Sequence, residues 1–137
     1  MWCVVAPRKG GAFTLVELLV VLAIIAILAS IATSQYLSYM AKARISSYAL
    51  PLARTCFAEI VSYCTSEGTD GAVNISSLSN CSNTQTAGGM VIINFQTQPV
   101  CFEGVLSQGE LHATIQGINT YKVICSVDVA PFKCWIE

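Results

Sequence analysis

From Phe13 to Thr33 the chain is apolar on every side: FTLVELLVVLAIIAILASIAT holds a single charge, Glu17. As a helix this stretch spans about 30 Å, enough to cross a bilayer. Beyond Ser34 the pattern changes. Ile45, Tyr48, Ala49, Leu52, Cys56, Phe57, Ile60, Val61 and Cys64 recur at three- and four-residue steps, the stripe of a helix packed along one side. Arg44, Ser47, Arg54, Glu59 and Ser62 fall mostly off that stripe. Together the two patterns predict one long helix from Phe13 to about Glu67, roughly 80 Å in length. Pro51 lies inside it and should kink it or open one turn, and because the stripe continues in phase across the proline, a kink is expected rather than a break into two helices. Tyr36 and Tyr39 suit a membrane interface and Phe57 and Tyr63 suit core packing, so these aromatics are read as structural.

The second half alternates differently. Residues 67–89 are rich in Gly, Ser, Asn and Thr and read as a long loop, a candidate variable surface. Two stretches of it, Asn74-Ile75-Ser76 and Asn80-Cys81-Ser82, match the glycosylation acceptor pattern. Strand signals follow near Met90–Phe95, Val100–Leu106, Leu111–Gln116, Thr120–Val127 and Phe132–Ile136, with turns expected at Gln108-Gly109, Gly117 and Asp128-Pro131. Tyr121, Val123, Cys125 and Val127 form one apolar face, and Phe132, Cys134 and Ile136 another. An antiparallel sheet laid with that face on the amphipathic stem buries both. The fold class is therefore α+β: a long N-terminal helix, half transmembrane and half amphipathic, packed on a C-terminal antiparallel sheet.

Composition narrows the function. The 137 residues are 54% hydrophobic and 11% charged, where soluble domains carry about a quarter charged residues. Disordered, collagen-like and large multidomain chains are excluded. With seven basic and eight acidic residues, net −1, the chain is no strongly basic nucleic-acid binder. Residues 67–137 carry six acids and two bases, a surface that repels phosphate, so no direct nucleic-acid partner is expected. Arg8 and Lys9 precede the apolar run without an acid before them. Positive charge on that side keeps the N-terminus cytoplasmic and sends the rest outward, where cysteines become disulfides.

Glu17 sorts the readings of the apolar segment. A secretory signal cut near Ser30-Ile31-Ala32, or a plain membrane anchor, has no use for a carboxylate that costs about 2.5–3.5 kcal/mol in a membrane helix. A third reading uses it. The run Arg8-Lys9-Gly10-Gly11-Ala12-Phe13-Thr14-Leu15-Val16-Glu17 resembles the processing site of type IV prepilins, and the resemblance extends to about residue 45. It implies a leader, residues 1–12, cut off by a membrane aspartic peptidase, and a new N-terminal Phe13 that is N-methylated. Glu17 then falls at the fifth mature position. Ala12 stands before the cut where glycine is usual. Ala26 and Ser34 stand where many pilins place glycine and proline, and a more continuous helix is expected there. In lipid the Glu17 carboxylate requires a cation, and the α-amine of a neighbouring subunit's Phe13 supplies one, so that the pair gauges register during assembly.

The resemblance implies a structural subunit of a type IV pilus, serving adhesion, twitching motility or DNA uptake. Its domains are the leader 1–12, a helical stem 13–66 (transmembrane over 13–33) and a globular head 67–137, with loop 67–89 and sheet 90–137. The partners are further copies of the chain in a helical filament, the prepilin peptidase and N-methyltransferase, the assembly platform with its ATPases, and the membrane. The subunit waits in the inner membrane and then joins an extracellular filament. No catalytic residue, metal or cofactor is expected: no C-x-x-C occurs, and His112 is the only histidine. The rivals are a pseudopilin of a type II secretion system, a minor or competence pilin, and a membrane-anchored binding module that never polymerises. Loss of Cys3 with the leader leaves Cys56, Cys64, Cys81, Cys101, Cys125 and Cys134, with 15 possible connectivities. Cys125 and Cys134, facing inward on adjacent strands, suit a bond, which also resembles the family's C-terminal disulfide. The remaining four are expected as Cys64–Cys81 and Cys56–Cys101, each bond contributing about 2–4 kcal/mol.

Overall fold

A computed structural model describes residues 13–127 and 132–137. Helical hydrogen bonding runs from Leu15 to Glu67 in three parts: α1 (Leu15–Arg44), a π-turn (Ile45–Ala49) and α2 (Leu50–Glu67). The strands are β1 (Gly71–Ala72), β2 (Thr84–Thr86), β3 (Gly89–Phe102), β4 (Val105–Ile115), β5 (Ile118–Ser126) and β6 (Lys133–Ile136). They form one antiparallel sheet in the order β1-β3-β4-β5-β6, with β2 also on β3. The chain divides after Leu37 into two compact units. The expected leader, with Gly11 and Ala12, and the expected turn at Asp128-Pro131 lie outside the described residues.

In the unit beginning at Ser38, the amphipathic stripe faces the sheet. Ile45, Ala49, Ala53, Cys56, Phe57, Ile60 and Cys64 are buried with Val91, Leu111, Ala113, Ile115, Val123 and Cys125. Ala53 joins this stripe although its small side chain gave it no weight in the periodicity, while Tyr48, Leu52 and Val61 sit at its half-buried margin. Phe57 meets Phe132 with ring centroids 5.0 Å apart. Tyr121 of β5 hydrogen-bonds to Ser38 at 2.8 Å.

Pro51 is accommodated by one opened turn, one of the two outcomes expected for it. It lacks an N–H, and its ring clashes with the carbonyl four residues back in a regular helix. The π-turn just before it, in which the Leu50 N–H donates to the Ile45 carbonyl, adds a residue to the turn and opens space there. The extra residue also keeps Ile45 and Ala49 in phase with the rest of the buried stripe.

Two strand expectations change. Met90–Phe95 and Val100–Leu106 were separate in the sequence pattern, but β3 runs unbroken through Thr97-Gln98-Pro99. The hairpin turn falls at Glu103-Gly104, both with positive φ (51° and 75°), as the two-residue turn matching strand twist requires. Gln108-Gly109 is not a turn; Gly109 lies inside β4, where an added Cβ would come within 3.2 Å of Pro99. The register slips on β3 between Phe95 and Cys101, where bulges and Pro99 interrupt the ladder locally.

The disulfides are Cys56–Cys81, Cys64–Cys101 and Cys125–Cys134. The first two correct the expected Cys64–Cys81 and Cys56–Cys101. The reason is the path of the chain after α2. It turns at Gly68 and pairs Gly71 with Cys101, so Cys101 arrives at the end of the helix, beside Cys64. The loop then runs back along α2, where Glu59 accepts the Asn80 N–H at 2.9 Å, and delivers Cys81 to Cys56. Cys125 and Cys134 are direct cross-strand partners on β5 and β6.

Candidate processing and assembly site

The helix begins at a reciprocal cap. Glu17 Oε2 accepts the backbone N–H of Thr14 at 2.9 Å and the Thr14 hydroxyl at 3.0 Å. The Thr14 hydroxyl oxygen in turn accepts the Glu17 N–H at 3.3 Å. This is a capping box, satisfying two donors that a helix end otherwise leaves orphaned. Thr14-x-x-Glu17 before an apolar run is its sequence signature, a signal hidden when Glu17 is read only as a charge. The carboxylate also sits at the positive end of the helix dipole. Among the described residues, Oε1 has no hydrogen-bond partner. Phe13 precedes the cap and is 80% exposed.

Beyond the cap the helix exposes its apolar side chains all round. No residue of α1 is buried, and Leu15, Leu19, Ile24, Ile27 and Ile31 are all more than half exposed. Such a surface is stable only in lipid or against other apolar surfaces. The hydroxyls within it are satisfied by the helix itself: Ser30 donates to the Ile27 carbonyl at 2.8 Å, Thr33 to Ala29 at 2.7 Å and Ser34 to Ile31 at 3.1 Å. Each hydroxyl is thereby spared the cost of an unpaired polar group in hydrocarbon.

Residues 7–33 match the family model of the prokaryotic N-terminal methylation motif. The chain carries the prepilin motif of type IV pilins and pseudopilins. No curated protein and no solved structure matches the chain significantly. In this pilin-like chain the motif covers the basic residues Arg8 and Lys9, Gly11, Ala12, Phe13, the capping pair Thr14 and Glu17, and the apolar helix as far as Thr33. The motif points to a structural subunit rather than an enzyme. With the apolar helix it fits membrane anchoring, and it implies processing by a prepilin peptidase.

The other candidate residues of the pilin-like chain belong to the sheet-bearing unit. His112 is a cross-strand residue of β4 whose Nε2 lies 2.7 Å from Glu110 Oε1, and the six cysteines from Cys56 to Cys134 are all bonded. An open polar hollow of about 240 Å³ in the same unit is lined by Thr97, Ser107, Gln108, Glu110 and Ser126.

Proposed function

We infer that this chain is a structural subunit of a type IV pilus. The observation that carries the reading is Glu17, the single charge of the apolar run 13–33, four residues after Phe13 and within the matched motif. In this reading the leader 1–12 is cut between Ala12 and Phe13, and Gly11 and Ala12 supply the small residues that fit the peptidase. Phe13 becomes a methylated cation, and N-methylation preserves its charge as lysine methylation does. Thr14 keeps its amide N–H through that cut, so the capping box survives processing. Glu17 is then held by its own helix end while in the membrane, and Oε1 remains to receive the Phe13 amine of a neighbouring subunit. Two charges withdrawn from water compensate each other only in good geometry, which rejects a subunit entering one step out of register. The apolar helices pack into the filament core and the disulfide-bonded heads face outward, so the subunit passes from the inner membrane to an extracellular homopolymer. Adhesion, twitching motility or DNA uptake would then be tasks of the filament, the last without direct nucleic-acid contact by the acidic head.

The test is N-terminal sequencing of the mature chain combined with electron microscopy. Methylated Phe13 and loss of filaments from cells lacking the chain are expected; a mature N-terminus at Met1 or near Thr33 overturns the reading. Filaments that persist without the chain favour a minor pilin or a pseudopilin of type II secretion, both of which share the motif. Glu17→Leu should insert normally and enter filaments poorly, and normal filaments built at the normal rate from that variant would remove Glu17 from assembly.

A further inference from the structure

The loop between β1 and β2 carries two stretches with the acceptor pattern Asn-x-Ser, and the fold treats them differently. Val73 and Leu78 are buried, and the Val73 N–H donates to the Pro99 carbonyl at 2.9 Å. Between these anchors the short turn Asn74–Ser77 stands on the surface, with Asn74 and Ser76 both exposed. Asn74 Oδ1 accepts the Ser76 N–H at 3.2 Å, and the Ser77 hydroxyl donates to the Asn74 carbonyl at 2.7 Å. These bonds occupy the amide oxygen and the backbone. Among the described residues nothing holds Asn74 Nδ2 or the Ser76 hydroxyl, the nitrogen to be modified and the hydroxyl that marks the acceptor.

At Asn80 the same pattern is closed. Its backbone N–H is held by Glu59. Cys81, the middle residue, is bonded to Cys56 and only 8% exposed. The Ser82 hydroxyl is already spent on the Ser79 carbonyl at 3.2 Å. A transferase that must take the acceptor as an extended segment could read Asn80 only by breaking into the core.

We propose that Asn74 is a glycosylation site of the head, modified while Asn80 is not. The donor class is an oligosaccharide linked through pyrophosphate to a lipid. Asn74 Nδ2 attacks the anomeric carbon, the new C–N bond replaces the C–O bond to pyrophosphate, the lipid pyrophosphate leaves, and the amide proton passes to a base of the transferase. The inference rests on the outward-facing head of the proposed function, because the acceptor must lie on the side of the membrane where such a transfer occurs. A sugar at Asn74 would cover the loop surface over Val73 and Leu78 and leave the apolar helix untouched.

The experiment is mass spectrometry of the full chain isolated from its own cells, unreduced and with free thiols alkylated, using fragmentation that retains glycans. A glycan mass on Asn74 is expected. It should be lost entirely in Asn74→Gln and in Ser76→Ala, be retained in Ser76→Thr, and be unchanged in Asn80→Gln. Unmodified Asn74, sugar on Asn80, or sugar on Asn74 that persists in Ser76→Ala overturns the proposal. The same spectrum counts alkylated cysteines. Three intact disulfides beside an unmodified Asn74 defeat the glycan alone, whereas six free thiols defeat the outward-facing head as well.

Discussion

Single side chains carry opposite kinds of constraint at the start and in the middle of the long helix. At its start, Thr14 and Glu17 serve each other, and the carboxylate that stands out in the sequence as an expense is partly met by its own helix terminus. Thr14→Ala removes one side of the box and should cost the helix end about 1 kcal/mol. The expected readout is faster amide exchange at Leu15–Leu18 in detergent micelles, with Thr14→Ser near the natural rate. Further along, the constraint is space. Gly88 presses against the Tyr48 ring so closely that an added Cβ would lie 2.2 Å from it. Gly88→Ala should therefore destabilise the chain by about 1–3 kcal/mol. The penalty should shrink when Tyr48→Ala is present, a coupling that a double-mutant cycle of thermal unfolding measures directly.

Among the elements, the π-turn and the disulfides are where local sequence and packing meet. The π-turn amounts to one extra residue in the helix, placed where Pro51 needs room and where Ile45 and Ala49 need to face the sheet. Deleting Ser47, an exposed residue of that turn, should restore a regular helix and drive the Pro51 ring against a carbonyl, at about 3 kcal/mol. Adding Pro51→Ala to the deletion should recover the part of the loss due to that clash, while the cost of turning Ile45 out of phase with the stripe remains. Equal melting of the single and double variants would show that the proline does not require the wide turn. The disulfides close loops whose ends are separated by 37, 25 and 9 residues. On loop-closure entropy, their removal as Cys→Ser pairs should cost most for Cys64–Cys101, then Cys56–Cys81, and least for Cys125–Cys134, from about 4 down to about 2.5 kcal/mol. Chemical unfolding of the three double variants tests that order.

Across the whole molecule, two solvents divide the chain. Leu15 to Ile31 has an apolar surface with no internal partner, whereas the unit from Ser38 onward closes a core of its own on the helix stripe. The proposed topology rests on the charges ahead of the apolar run. In the proposed topology, in which Arg8 and Lys9 hold the N-terminus inside, alkaline phosphatase fused after Glu137 should be active, because that enzyme folds only where disulfides form. Replacing Arg8 and Lys9 with Glu should lower that activity, and activity independent of those residues would place the orienting signal elsewhere.

Features that depend on local pattern are legible from the residues alone. The apolar run, the stripe from Ile45 to Cys64, the alternation on β5 and β6, and the ordered motif from Arg8 to Glu17 each repeat at the period of one element, so neighbouring residues suffice to read them. The cross-strand bond between Cys125 and Cys134 belongs here too, because its partners sit on adjacent strands of a short hairpin. Tertiary structure decided the rest. Cys56 and Cys64 lie on one helix face about 12 Å apart, and nothing local distinguishes them; the route of the chain past β1 assigns Cys101 to the nearer end and Cys81 to the farther. Likewise β3 absorbs Pro99 and β4 absorbs Gly109, residues that punctuate a lone sequence, because the neighbouring strand holds the register on both sides of the irregularity. The same division separates Asn74 from Asn80. Their acceptor patterns are alike in sequence, and only the disulfide and hydrogen bonds of the folded loop leave one open and the other closed.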